Sequence, residues 1–174
     1  MTIEPDTKNW TWVLERRCPE CGFDGTSVSL EDVPSLLRDN IGYWPAVLER
    51  PDVAARPDDS TWSPLEYAAH VRDVFRVFSG RLNLMLAEHN PEFENWDQDA
   101  EAIAARYGEQ DPLRVRDELV EAGNALADAF ERVPAEAASR PARRSDGSAF
   151  TVESLGRYLL HDVVHHRWDT QATG

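Results

Sequence analysis

The sequence predicts an all-α protein: a four-helix bundle preceded by an irregular arm. Three observations predict it. Four stretches repeat apolar residues at helical spacing. Three of them open on a residue suited to cap a helix, and two of those caps are followed at once by proline. Nowhere does strand-like alternation compete.

The first helix is expected over about residues 30–50, with Val33, Leu36, Leu37, Ile41, Trp44, Val47 and Leu48 on one stripe. Pro51, Asp52 and Pro57 then break it. The second opens at Ser63-Pro64, where Glu66 completes a capping box, and continues through Val71, Val74, Phe75, Phe78 and Leu82 to about His89. Residues 91–110 read as irregular, with Phe93 and Trp96 packing on the bundle and a helical turn or two over 99–107. The third helix starts at Asp111-Pro112, carries Val115, Leu119, Leu126 and Phe130, and stops at Pro134. A polar linker over 141–148, with a Ser-Asp-Gly turn signal, leads to a fourth helix capped by Thr151. Residues 1–28 hold Trp10, Trp12 and a Cys-x-x-Cys pair and form the arm; residues 29–174 form the bundle.

A chain of 174 residues suits one domain with a sizeable core. The net charge of -14 disfavours nucleic acid and anionic membrane surfaces as partners. No apolar run is long enough to span a bilayer, and the start MTIEPDTKNW lacks the basic and apolar segments of a secretory signal, so a cytoplasmic location is expected. Lys8 is the only lysine among many arginines, which fits a GC-rich bacterial genome.

The chemistry concentrates in histidine. His161 and His165 are four apart, so on a helix they differ by about 40° in direction and can chelate one ion. His166 lies about 140° from His161 and cannot easily share that ion. His70, on the buried stripe of the second helix, is the natural third ligand, because metal sites in bundles form from side chains on facing helices. Asp73, Asp162 and Asp169 either orient these imidazoles or are simply solvated.

Two motifs carry a family resemblance: Trp62-Ser63-Pro64-Leu65-Glu66-Tyr67-Ala68-Ala69-His70-Val71, and Tyr158-Leu159-Leu160-His161-Asp162-Val163-Val164-His165-His166. Together they resemble the DinB-like (YfiT-like) metalloenzyme superfamily over about residues 29–170. The resemblance implies a four-helix bundle binding a divalent metal ion, zinc or nickel first, through His70, His161 and His165, with His166 usually not a ligand. It also implies a small-molecule substrate, a low-molecular-weight thiol as cosubstrate and self-association as a homodimer. Characterised relatives include thiol-dependent S-transferases and the mycothiol-dependent maleylpyruvate isomerase of actinobacteria. The chain stops soon after the fourth helix, so the extra C-terminal domain of those isomerases is not expected, and their substrate is not carried over.

Cys18 and Cys21 lie outside this resemblance. They read as half of a structural metal site completed by a histidine such as His89 or by a second subunit, as a redox pair, or as two plain thiols. Three functions follow: a metal-dependent transferase or hydrolase, with Asp73 as a candidate base; a binding module that senses or sequesters a metal or ligand; or a metal-free interaction scaffold.

Overall fold

The structure is a computed structural model and describes Ile3, Asp6 and residues 8–172. Its helices are α1 (Val33–Leu48), α2 (Pro64–Ala87), the short α3 (Gln98–Ala104), α4 (Pro112–Glu131) and α5 (Val152–Ala172). The fold is mostly helical, as expected, but not strictly all-α. Strands β1 (Glu92–Phe93), β2 (Pro141–Arg144) and β3 (Ala149–Thr151) form a small sheet in the order β1-β2-β3. The expected linker is therefore a hairpin: β2 pairs antiparallel with β3, Ala142 opposite Phe150, and parallel with β1. Gly147, at φ +90, makes the turn possible. Two to four residues are too short a stretch for alternation to be visible in sequence.

The three helices for which the sequence offers a cap, α2, α4 and α5, begin where that cap predicts. Ser63 accepts from the Glu66 N–H at 3.2 Å while Glu66 accepts from the Ser63 N–H at 2.8 Å. Asp111 caps α4, and Thr151 and Ser154 bond reciprocally across the start of α5. α4 lies along both α1 and α2, and α5 packs on α2 and α1. Gly123 permits this closeness: a Cβ there would sit 2.7 Å from Ile41 Cδ1 and 2.8 Å from Phe75 Cε2. The core runs through Leu37, Trp44, Val71, Phe75, Leu82, Leu119, Leu126, Leu155 and Leu159, all fully buried. Among the described residues no helix is long and apolar enough to cross a membrane.

The arm is laid along α5 by two short 3-10 turns, Trp10–Leu14 and Gly25–Ser27, and a third, Leu30–Asp32, leads into α1. Arg157 donates to the Val28 carbonyl at 2.7 Å, and Glu153 accepts from the Leu30 N–H at 3.3 Å. With α1 and α2 on one side and the arm on another, α5 is covered on several faces. Neighbouring histidines on it therefore meet different partners.

The capping box gives a pH prediction. Burial works to raise the Glu66 carboxyl, but bonds from Arg56 (Nε to Oε2, 2.8 Å) and Ser63 more than offset it and hold it below its ordinary 4.5. A depressed carboxyl stabilises the fold fully above 4.5, and that contribution is lost as pH falls through the folded value. Glu66→Gln, which keeps the cap but not the charge, is expected to cost about 1.5–3 kcal/mol at neutral pH. The cost should vanish in acid, as measured by urea denaturation at several pH values.

Candidate metal centre

Among the described residues, two clusters of metal-ligating side chains flank α5. The first joins His70, Asp162 and His166, and the second joins Cys18, Cys21, His161 and His165. In each, one ligand atom per residue lies within 4.8 Å of the others. The three histidines expected on one ion are thus divided. His161 and His165 face the same way, with ring centroids 5.2 Å apart, but they face the arm. His70 lies instead beside His166, with ring centroids 4.7 Å apart and edge-on. The reason is helical phase: Asp162 and His166 are also four apart, about 100° round the helix from the first pair, and theirs is the face turned to α2.

Asp162 Oδ1 lies 3.4 Å from His70 Nε2 and 3.5 Å from His166 Nε2. His70 is fully buried, stacked on Trp96 (5.4 Å, 3° between planes) and against Trp62 at 5.5 Å. Both of its ring nitrogens, and Asp162 Oδ1, are buried with no hydrogen-bond partner. Orphaned polar atoms of this kind are rare in folded proteins and costly. A cation among them would satisfy a carboxylate oxygen and two imidazole nitrogens together, so the donor set fits a divalent ion.

The electrostatics favour the same occupant. Burial pushes His70 below its ordinary value, so its imidazole is neutral with a lone pair to offer. Burial works to raise Asp162, but the imidazoles of His70, His166 and His161 more than offset it and hold the carboxyl at about 2. Burial works to lower His166, yet Asp169 and Asp162 raise it overall. His166 Nδ1 lies 3.0 Å from Asp169 Oδ2; assigning the proton to Nδ1 from this bond leaves Nε2 free toward Asp162. Asp169 therefore orients a histidine, as one of the sequence readings held. Asp73 does not face the cluster: Arg72, Arg76 and the Tyr107 hydroxyl (2.7 Å) hold it. His89 is exposed, two residues beyond the end of α2, and belongs to neither cluster.

Both clusters border one cavity of about 240 Å³, whose walls include Trp10, Trp62, Tyr67, Asp99 and Tyr158. Tyr67 packs on His166 at 5.2 Å, and burial, reinforced by Asp169, pushes its hydroxyl well above the ordinary range. It stays a neutral hydrogen-bond donor at the cavity wall. In the sequence Asp162 reads as an outer partner or a solvated residue and His166 as a non-ligand; the signal that pairs them is the second four-residue spacing in the same hexapeptide.

Comparison with solved structures finds the YfiT protein of Bacillus subtilis, described as a probable metal-dependent hydrolase with an unusual four-helix bundle topology. It is 19% identical, covers 98% of this chain and 91% of its own, and superposes with a TM-score of 0.64, a likeness of fold. No curated protein matches the chain. Residues 38–169, most of the chain and every helical ligand described above, match the DinB superfamily, and the protein belongs to that superfamily.

Proposed function

We propose that the protein is a metal-dependent enzyme acting on a small molecule, a hydrolase or transferase, with its reactive ion held by His70, Asp162 and His166. One observation carries this reading: buried ligand atoms of His70 and Asp162 that make no hydrogen bond face one another at 3.4 Å beside a cavity of about 240 Å³. Three protein ligands leave coordination positions open, which separates a reactive site from a purely structural one and favours an enzyme over a sequestering module. The YfiT protein's description as a probable metal-dependent hydrolase agrees with it. When bound, the ion supplies Lewis acidity, polarising a substrate carbonyl and lowering the pKa of a water or thiol nucleophile.

The chain's own residues do the rest. Asp169 holds His166 in the tautomer that leaves Nε2 available. Trp62 and Trp96 sheath His70 and keep water from its ring. Tyr67 offers a hydroxyl donor to a substrate oxygen in the cavity. A low-molecular-weight thiol, with its own electrophile, would be accepted in the same space.

The test is a turnover screen of esters, amides and thiol–electrophile pairs, using protein reconstituted with zinc, nickel or manganese. Metal-dependent turnover should appear for one class and be lost in a His70→Ala, His166→Ala double variant of unchanged circular dichroism. Equal turnover by the double variant would overturn the reading.

A further inference from the structure

The second cluster takes no part in the reaction proposed above, and it has the composition of a complete site. We infer that Cys18, Cys21, His161 and His165 bind a structural zinc ion that fastens the N-terminal arm to α5.

The four ligand atoms come from segments some 140 residues apart in sequence, Cys18 and His165 being separated by 147 positions, yet lie within 4.8 Å of one another. Cys18 Sγ is 3.8 Å from His165 Nδ1. Tetrahedral zinc, with its usual bond lengths to sulfur and nitrogen, sets such atoms about 3.6 Å apart. Two sulfurs and two imidazole nitrogens, four in all, are the ligand count and softness that select zinc, and they leave no open position.

The backbone is built to present the two thiols together. The Cys18 N–H donates to the Phe23 carbonyl at 2.8 Å, and the Gly22 N–H donates to the Cys18 carbonyl at 3.0 Å. Gly22 sits at φ +76, which glycine adopts at little cost. The result is a tight knuckle with both cysteines directed at α5. There, His161 Nε2 is buried without a hydrogen-bond partner, and Cys18 is fully buried.

The surroundings suit a closed ion. Trp10 packs on both histidines at 5.5 Å, with Trp12 and Phe23 beside His161 at 6.3 and 6.1 Å. On the outer side, Glu20 and Asp169 lie 3.8 and 3.9 Å from His165 Nε2, where carboxylates orient a ligating imidazole. Two thiols and two imidazoles are thus crowded together, their ligand atoms within 4.8 Å of one another. A zinc ion converts that crowding into binding energy, and so into folding energy for the arm. Trp10, a wall of the substrate cavity, is thereby held in place.

The experiment uses the full chain, prepared under reducing conditions and reconstituted with cobalt(II). We expect a near-ultraviolet sulfur-to-cobalt charge-transfer band in the wild type. It should be kept in the His70→Ala, His166→Ala double variant and lost in Cys18→Ser, Cys21→Ser. Because the cysteine variant could misfold, thiol modification by a disulfide reagent is followed in the wild type as well. It should run roughly 10-fold or more slower with zinc bound than after chelation. A cobalt-loaded wild type with no sulfur band, or thiols modified equally fast with and without chelation, would overturn the proposal. Loss of the band in the His70, His166 variant would overturn the separation of the two sites. None of these readouts depends on turnover, so failure here and failure of the enzyme reading are distinguishable.

Discussion

Asp162→Ala is expected to remove the reactive ion and all metal-dependent turnover while leaving the zinc at the cysteines in place. Asp162 Oδ1 sits between His70 Nε2 and His166 Nε2, at 3.4 and 3.5 Å. Without it, two imidazoles remain, which is too few for a tightly held ion. The affinity loss should exceed the roughly 10–100-fold that follows removal of an outer hydrogen-bond partner. Asp169→Ala supplies the comparison, because Asp169 reaches the ion only through His166 Nδ1. Its loss should fall within that smaller range. Asp162→His should keep the ion, since it restores an imidazole at the same helical position. Elemental analysis of the purified proteins reads all three. An ion count unchanged in Asp162→Ala would rule out Asp162 as a ligand.

Trp44→Ala is expected to be the most damaging single change to the fold. Trp44 is fully buried on α1, with Tyr43 edge-on to it at 5.3 Å. Its indole N–H donates to Asn40 Oδ1 at 3.1 Å, and Asn40 Nδ2 donates to the Val163 carbonyl on α5 at 2.9 Å. Truncation leaves a cavity and strips Asn40 of a donor. Large aromatic-to-alanine changes in cores cost about 3–5 kcal/mol. In a chain of this length that lowers the melting temperature by roughly 10 °C. Scanning calorimetry would measure it, and a loss below about 1 kcal/mol would mean that the neighbours close over the space.

Most of the bundle was legible because its signals are local. Ser63-Pro64 with Glu66, Asp111-Pro112 and Thr151 each mark a helix start by short-range hydrogen bonding, and the structure begins helices there. The sheet was not legible. β1 pairs with β2 some fifty residues away, and nothing within Glu92–Phe93 announces it. Of the site, the residue types and the four-residue spacing were legible, and so was the 140° that keeps His161 and His166 apart. What the sequence could not supply was the rotation of α5 about its own axis. That depends on how Leu155, Leu159 and Val163 seat among the other helices, and it decides which pair meets His70. Nor could it say that the cysteine knuckle folds back onto α5, a contact made across most of the chain's length.

The two interleaved pairs on α5 make the segment before them unusually intolerant of length changes. Each inserted or deleted residue turns the following helix by about 100°. One extra residue ahead of His161 would bring His161 and His165 to the positions now held by Asp162 and His166, facing His70. The knuckle would then meet two side chains with no affinity for its ion, Leu160 and Val164. A single inserted codon in this helix would therefore exchange the zinc-fastened arm for an all-histidine centre.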